Sequence, residues 1–212
     1  MPSPRSLLLL LPAAAVAVAL SACGAGPATE EPRAVGAFDR IEAQDGVDVR
    51  LHLGQDRAVS VRAGENVIDD VHVKVADGTL RVWHDDIGWL SGDITVDVRV
   101  PALDSIDVSD GSDADLYDVT GGDLSISASS GSDVTASGRI GTLALDASGG
   151  SDADLSDLEA RDASIEVSSG SDAEVRASAT LDVKASGGSD VSYRGEPELT
   201  RDVSGSSDLT RD

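Results

Sequence analysis

The tripeptide Gly-Ser-Asp recurs at nearly even intervals through the second half of this 212-residue chain. Its turn glycines are Gly111, Gly131, Gly150, Gly170 and Gly188, and a degenerate sixth copy reads Ser206-Ser207-Asp208. Successive copies are 20, 19, 20, 18 and 18 residues apart. A fixed period of this length is typical of a solenoid, in which each repeat is one supersecondary unit that stacks on the next.

Each repeat predicts two short strands, one on either side of the Gly-Ser-Asp turn. Apolar and polar residues alternate before the glycine, as in Leu143, Leu145 and Ala147, and again after it, as in Ala153 and Leu155. Alternation is the period of a strand with one buried face. A second, irregular turn, such as residues 137–141, is expected to return the chain to the next coil.

These patterns predict an all-β fold, a two-sheet parallel β-helix with about 19–20 residues per coil. Successive coils would pair in parallel and in register, about 4.8 Å apart. An antiparallel sandwich is the alternative, but it gives no reason for every turn to carry the same tripeptide.

Residues 34–212 are expected to form a single domain, with regular repeats from about residue 104. The preceding residues, 34–102, are rich in strands but lack the repeat, and we expect irregular first coils that also cap the solenoid. An uncapped end would expose unpaired strand edges. Trp83 alternates like a core residue. Arg201 and Arg211 fall on inward positions of the last coil, which predicts a polar cap there.

The first 22 residues predict a lipoprotein signal peptide. Arg5 precedes an apolar run of 14 residues, Leu7 to Leu20, broken only by Pro12. That length is typical of a signal-peptide core and too short for a comfortable membrane span. The run ends in Leu20-Ser21-Ala22-Cys23, a lipobox, and Cys23 is the only cysteine. We expect lipid on Cys23, a flexible tether over residues 23–33, and a location on the extracytoplasmic face of the membrane.

The formal net charge of −23 excludes some partners. Such a surface repels nucleic acid and anionic lipid headgroups, so the expected contact with the membrane is the lipid anchor alone. The charge is compatible with a merely solvated envelope protein and with a protein that binds cations.

Six aspartates occupy the third position of the turns and would stack in a parallel helix: Asp113, Asp133, Asp152, Asp172, Asp190 and Asp208. At about 4.8 Å in water, neighbouring carboxylates repel by roughly 1 kcal/mol. That repulsion is tolerable without a metal. Each Asp would then accept backbone N–H groups within its own turn while glycine supplies the required backbone angle. The alternative is a calcium site to which Asp115 and Asp154 add carboxylates.

No pattern in the sequence predicts an enzyme. His52, His72 and His84 lack metal-ligand spacing, and the first two are expected to be exposed strand residues. No serine lies in a Gly-x-Ser-x-Gly elbow. Trp89 lies in a predicted loop, where its ring would contact a sugar or protein partner or, alternatively, pack over the end of the helix.

Several motifs, taken in order, resemble the head GIN domain family of auto-transporter adhesins. They are Phe38-Asp39-Arg40-Ile41, Gly46-Val47-Asp48-Val49, Asp77-Gly78-Thr79-Leu80, the segment from Pro101 to Ser109, and the repeated turns. The chain departs from the family in writing Gly-Ser-Asp where many members write Gly-x-Gly-Asp, and in carrying a lipobox. The resemblance implies a right-handed parallel β-helix without catalytic residues, and a role in adhesion.

The sequence therefore favours a non-catalytic, lipid-anchored binding or adhesion module of the cell envelope. Its partner would be a protein or a glycan that binds the repetitive sheet surfaces. A calcium-dependent envelope scaffold is the first alternative, and calcium is then the one cofactor to consider. A carbohydrate-active enzyme, which would need a cleft of paired acids, is the less favoured alternative.

Overall fold

The computed structural model describes residues 25–85 and 92–212, and strands form nearly all of its regular structure. A 3-10 helix, Ile68–Asp70, is the one helical element in these ranges. No helix there is long and apolar enough to cross a membrane. The strands are β1 Ala28–Pro32, β2 Arg40–Ala43, β3 Val47–Leu53, β4 Ala58–Gly64, β5 Val71–Ala76, β6 Thr79–His84, β7 Ile94–Val100, β8 Ser105–Val108, β9 Ala114–Ser129, β10 Val134–Ser148, β11 Asp152–Ser168, β12 Asp172–Ser186, β13 Asp190–Arg194, β14 Glu198–Val203 and β15 Asp208–Arg211.

The repeats stack as a parallel β-solenoid, which confirms the predicted fold class. Strands β9 to β12 pair in parallel with their neighbours along the chain, so that Val134 lies beside Ala153 and Ser148 lies beside Ser168. Apolar residues alternate inward along each strand and are buried, whereas the polar residues between them are largely exposed. The parallel register excludes the antiparallel sandwich.

The strand halves form two faces. The first face contains the half-strands that follow the Gly-Ser-Asp turns, in the order β1-β4-β7-β3-β9-β10-β11-β12-β13-β15. The second face contains those that precede the turns, in the order β5-β6-β2-β8-β9-β10-β11-β12-β14. One continuous core of mainly aliphatic side chains lies between the two faces.

In strands β9 to β12 the expected second turn is instead a bend inside a continuous strand, whereas the last coil has a break between β13 and β14. Strand β10 runs without a break through residues 137–141, and only its register with β9 shifts, between Ala136 and Gly138. Gly138 has φ 137°, and a Cβ there would lie 2.1 Å from the carbonyl oxygen of Val119. The adjacent backbones approach too closely at this corner for a side chain, so glycine permits the bend without a loop.

The N-terminal coils do not stack in the order of the sequence. Strand β2 lies between β6 and β8, and β3 lies between β7 and β9, so the later coil β6–β7 covers the earlier coil β2–β3. Antiparallel strands β4 and β5 then pair with β7 and β6. This arrangement pairs the outer edges of the coil β6–β7.

Part of the segment expected to be a flexible tether is a strand, so that expectation was wrong. Strand β1 pairs antiparallel with β4, and Glu30 accepts hydrogen bonds from Ser60 Oγ (3.0 Å) and Arg62 Nη2 (3.2 Å). These two groups, the serine first, lower the pKa of Glu30. Upstream, the carbonyl oxygen of Ala25 accepts from the N–H of Asn66 (3.0 Å). Backbone hydrogen bonds therefore hold this segment from residue 25 onward, and strand pairing begins at Ala28.

The last coil ends the solenoid with polar residues on inward register positions. Arg201 lies beside the buried Val183, and Arg211 lies beside Tyr193. Both arginines are exposed, while the neighbouring Leu199 and Leu209 are half-buried against the core. Charged side chains at these positions keep the final strands β14 and β15 from presenting an apolar end.

Candidate functional site

Each Gly-Ser-Asp turn is a tight reversal in which two consecutive residues have positive φ. In the first copy, Asp110 has φ 57° and precedes the glycine, and in the last copy Ser206 itself has φ 66°. Side chains are disfavoured in this region, which is why glycine suits the second position. The glycine φ values are 73° at Gly111, 74° at Gly131, 76° at Gly150, 73° at Gly170 and 80° at Gly188.

The aspartate ladder links neighbouring coils. Oδ1 of Asp113 accepts the backbone N–H of Asp133 in the next coil, at 2.9 Å. We expected each carboxylate to bond within its own turn, and that expectation was wrong, because the parallel register brings the next turn directly beside it. The same bond joins Asp133 to Asp152 (3.2 Å), Asp172 to Asp190 (3.0 Å) and Asp190 to Asp208 (3.3 Å).

A seventh aspartate, Asp48, extends the ladder, and the sequence analysis missed it. Its Oδ1 accepts the N–H of Asp113 at 3.2 Å. The gap between these residues is 65 positions, so the repeat period does not reveal the relationship. The available signal is local, since Asp45-Gly46-Val47-Asp48 matches Asp110-Gly111-Ser112-Asp113 in all but one residue, and Asp45 and Gly46 also have positive φ.

The turn serines form a second ladder inside the first. Ser112, Ser132, Ser151, Ser171 and Ser189 are fully buried. Ser151 Oγ accepts the N–H of Ser132 (3.1 Å), and Ser171 Oγ accepts the N–H of Ser151 (3.0 Å) and of Gly150 (3.1 Å). Apart from Ser132 Oγ, which has no hydrogen-bond partner among the described residues, the turn serine oxygens accept from the preceding coil of the stack. Aspartate oxygens accept from the following coil. The polar groups of the repeated turn therefore hold adjacent coils together.

Partial shielding from solvent makes ionisation of the stacked carboxylates less favourable. Burial raises the pKa of Asp152, and the charges of Asp133 and Asp172 raise it further. Burial is also the main cause of the raised pKa of Asp48, which outweighs the N–H bond from Asp113. The ladder hydrogen bonds therefore stabilise these charges only in part.

An open, acidic groove of about 530 Å³ follows the C-terminal part of the ladder on the first face. Asp152, Asp154, Asp172 and Glu174 are among the residues that line it. In residues 25–85 and 92–212, no group of three or more His, Cys, Asp or Glu side chains is arranged to hold a metal ion. Five ladder carboxylates accept a backbone N–H from the next coil: Asp48, Asp113, Asp133, Asp172 and Asp190. Calcium binding stays a prediction.

Two aromatic pairs lie on outward-facing strand positions. On the first face, the rings of His52 and Tyr117 stack, with centroids 4.9 Å apart and planes 18° apart. On the second face, His72 and Trp83 lie 5.0 Å apart with a 36° tilt. The core position expected for Trp83 was wrong, because Leu80 and Val82 take the inward positions of β6 and leave Trp83 half-buried outside. Cys23 and Trp89 fall outside the described residues.

Solved structures share this fold. A crystal structure from Bacteroides fragilis, described as a "putative adhesin", is 17% identical over 87% of this chain and 96% of that chain, with a TM-score of 0.68. A "putative adhesin" from Parabacteroides merdae is 14% identical over 89% and 98%, with a TM-score of 0.55. A "putative lipid binding protein" from Parabacteroides distasonis is 17% identical over 89% and 98%, with a TM-score of 0.51.

The solved structures show a shared fold, whereas a family model assigns the chain to a family. No curated protein matches the chain. A family model described as "Putative auto-transporter adhesin, head GIN domain" matches residues 37–197, from just before β2 almost to β14. The chain therefore belongs to the head GIN domain family.

Proposed function

We propose that this protein is an exported, lipid-anchored and non-catalytic binding module of the adhesion type. The observation that carries the proposal is that the polar side chains of the repeated turns bond to neighbouring coils. Most serine hydroxyls and aspartate carboxylates of the repeated turns accept backbone hydrogen bonds from an adjacent coil. What the solenoid then offers to a partner is its two long, flat faces.

The family and the structural neighbours support this reading. The family model names an adhesin head, and two of the neighbouring crystal structures are described as adhesins. Repeat solenoids commonly bind through extended surfaces rather than through a deep cleft. An adhesion-type module needs only such a surface and a means of attachment to the cell.

Lipidation of Cys23 would supply the attachment. The described backbone hydrogen bonds begin at Ala25, and one residue separates Ala25 from Cys23 in the sequence. One residue spans at most about 3.6 Å. The N-terminal strands would then lie close to the membrane surface, with the lipid as the contact to it, rather than stand off it on a long tether.

The anchor is tested by labelling cells that express the full chain with a palmitate analogue. We expect label on the wild-type protein, recovery in the membrane fraction, and loss of both in the Cys23→Ser variant. A wild-type chain that is exported without label would refute the lipoprotein assignment.

The adhesion function is tested with the full chain immobilised on beads and offered cell-wall sacculi and whole cells. Retention of either material above the level of uncoated beads supports the proposal. Retention of neither, by protein that unfolds cooperatively and is therefore folded, would refute it.

A further inference from the structure

The stacked pair His52–Tyr117 forms the centre of an unusual patch on the first face. The two residues lie side by side on β3 and β9, and their rings stack in nearly parallel planes. Tyr117 is 39% exposed. Among the described residues, no other large apolar side chain is exposed. In a stacked pair each ring keeps one face that its partner does not cover, and on the exposed Tyr117 this face offers a platform for a flat apolar surface.

Two arginines flank this aromatic platform. Arg99 lies beside His52 on β7, and Arg50 lies two residues before His52 on the same side of β3. The ion pairs of the described residues, 2.7 to 3.9 Å long, include neither Arg50 nor Arg99. Their guanidinium groups therefore keep donors available in a chain that carries 39 acidic residues.

Carboxylates accompany these donors. Asp97 and Asp115 lie on either side of Arg50 in the strand register. Asp97 and Arg99 line a depression of about 380 Å³, and Arg50 and Asp115 line another of about 190 Å³. Hydrogen-bond donors and acceptors thus alternate around the aromatic pair, and the two depressions give a ligand room to extend beyond it.

We propose that this platform binds an uncharged pyranose chain, a proposal that rests on the adhesion function proposed above. The C–H face of a pyranose packs on an aromatic ring, and its rim of hydroxyl groups needs both donors and acceptors. A polyanion would meet the carboxylates Asp97 and Asp115 beside the platform. A polycation would meet Arg50 and Arg99. An uncharged polyhydroxyl ring satisfies both sets.

The position of the platform indicates the source of this glycan. Strands β3 and β7 belong to the first coils, next to β4 and β1 at the N-terminal end. The proposed lipid on Cys23 would hold that end near the membrane surface. The platform therefore binds a polysaccharide of the envelope in which the protein is anchored, rather than one on a distant cell.

The experiment measures binding of the full chain, in detergent, to immobilised polysaccharides. Chitin and β-1,4-glucan serve as uncharged pyranose chains, polygalacturonate and chitosan as anionic and cationic chains. Sacculi from the source bacterium and mucin distinguish the envelope from a foreign surface. Variants Tyr117→Ala and Tyr117→Phe are compared with Trp83→Ala, which removes an aromatic ring from the His72 pair on the opposite face.

We expect the wild type to bind an uncharged chain and sacculi in preference to the charged chains and mucin. Tyr117→Ala should raise the Kd for that chain about tenfold, because losing one aromatic contact changes a Kd by up to roughly this much. Tyr117→Phe should retain it, because the ring remains, and Trp83→Ala should leave it unchanged. All three variants should unfold cooperatively.

Three results would overturn the platform assignment: preference for a charged chain, equal losses in Tyr117→Ala and Trp83→Ala, or no effect of either. Retention of sacculi or cells without polysaccharide binding would overturn the platform but leave the adhesion function standing. Preference for mucin over sacculi would overturn the envelope source. Polysaccharide binding without retention of sacculi or cells would support the platform and refute the adhesion function.

Discussion

Replacing Ser171 with alanine should destabilise the solenoid far more than the loss of one oxygen atom suggests. Ser171 is fully buried, and its Oγ accepts two backbone N–H groups, from Gly150 at 3.1 Å and from Ser151 at 3.0 Å. Without that oxygen, the buried Ser151 N–H loses its acceptor completely, while the less buried Gly150 N–H is partly compensated by water.

An orphaned buried donor costs about 1–3 kcal/mol, so the two N–H groups together should cost about 2–4 kcal/mol. For a domain of this size, each 1 kcal/mol lowers the melting temperature by about 2–4 °C. The Ser171→Ala variant should therefore melt about 5–15 °C below the wild type. Urea unfolding followed by far-ultraviolet circular dichroism gives the free-energy difference directly.

Ser132→Ala is the matched control. Ser132 occupies the same turn position and is equally buried, but its Oγ has no hydrogen-bond partner among the described residues. Its own N–H still donates to Ser151 Oγ after the substitution. Removing an unpartnered buried oxygen should change the free energy of unfolding by less than about 0.5 kcal/mol, in either direction.

The comparison isolates the hydrogen bonds, because both variants delete the same atom from the same kind of site. Equal losses in Ser171→Ala and Ser132→Ala would refute the reasoning, since the cost would then come from packing. A Ser171→Ala variant as stable as the wild type would also refute it, because the freed N–H groups would have found other acceptors.

Three further predictions concern the corner, the ladder and calcium. Gly138→Ala should lower stability more than Gly131→Ala in thermal unfolding, because a Cβ at residue 138 would lie 2.1 Å from a backbone oxygen, whereas nothing lies within 4 Å at residue 131. Equal losses would contradict this. Asp152→Asn should raise stability at pH 7 by about 1 kcal/mol after solvent screening, because it keeps an acceptor and removes a charge repelled by Asp133 and Asp172. Because the pKa of Asp152 is raised in the folded state, its ionised form lowers the stability above that pKa, and this loss disappears as the pH falls through it. The stability difference between Asp152→Asn and the wild type should therefore shrink in acid. A difference that grows in acid would contradict the direction of the pKa shift. Millimolar calcium should leave the melting temperature of the wild type unchanged within about 1 °C, since the ladder oxygens already accept N–H groups, and a rise of several degrees would establish a calcium site.

Sequence reasoning worked best where the signal was local and repeated. The alternation around residues such as Leu143 and Leu145 identifies strands and their buried sides, because side chains alternate across any strand. The interval between turn glycines predicts the coil length, and parallel stacking follows because identical turns must lie above one another. The corner at Gly138 escaped this reasoning, since a bend inside a strand depends on how closely the neighbouring backbone approaches.

The candidate platform shows the limit more clearly. His52 and Tyr117 are 65 residues apart in the chain, and the local signal that relates them is the match between residues 45–48 and 110–113, which has the same offset and lies outside the regular repeat period. They become neighbours only because β3 lies beside β9, with the coil β6–β7 displaced to the outer side. Asp48 joins the aspartate ladder for the same reason.

The sequence by itself therefore determined the repeating unit: strand, turn, inward aliphatic side chains, and a ladder of like residues. These features depend on periods of two residues and about 19 residues, which can be read along the chain. The tertiary structure alone decided the order of the nonrepeating coils, the coil-to-coil partners of Asp113 and Ser171, and the outward direction of Trp83. Those choices depend on which strand edges and apolar faces cover one another, and such nonlocal burial leaves no period in the sequence.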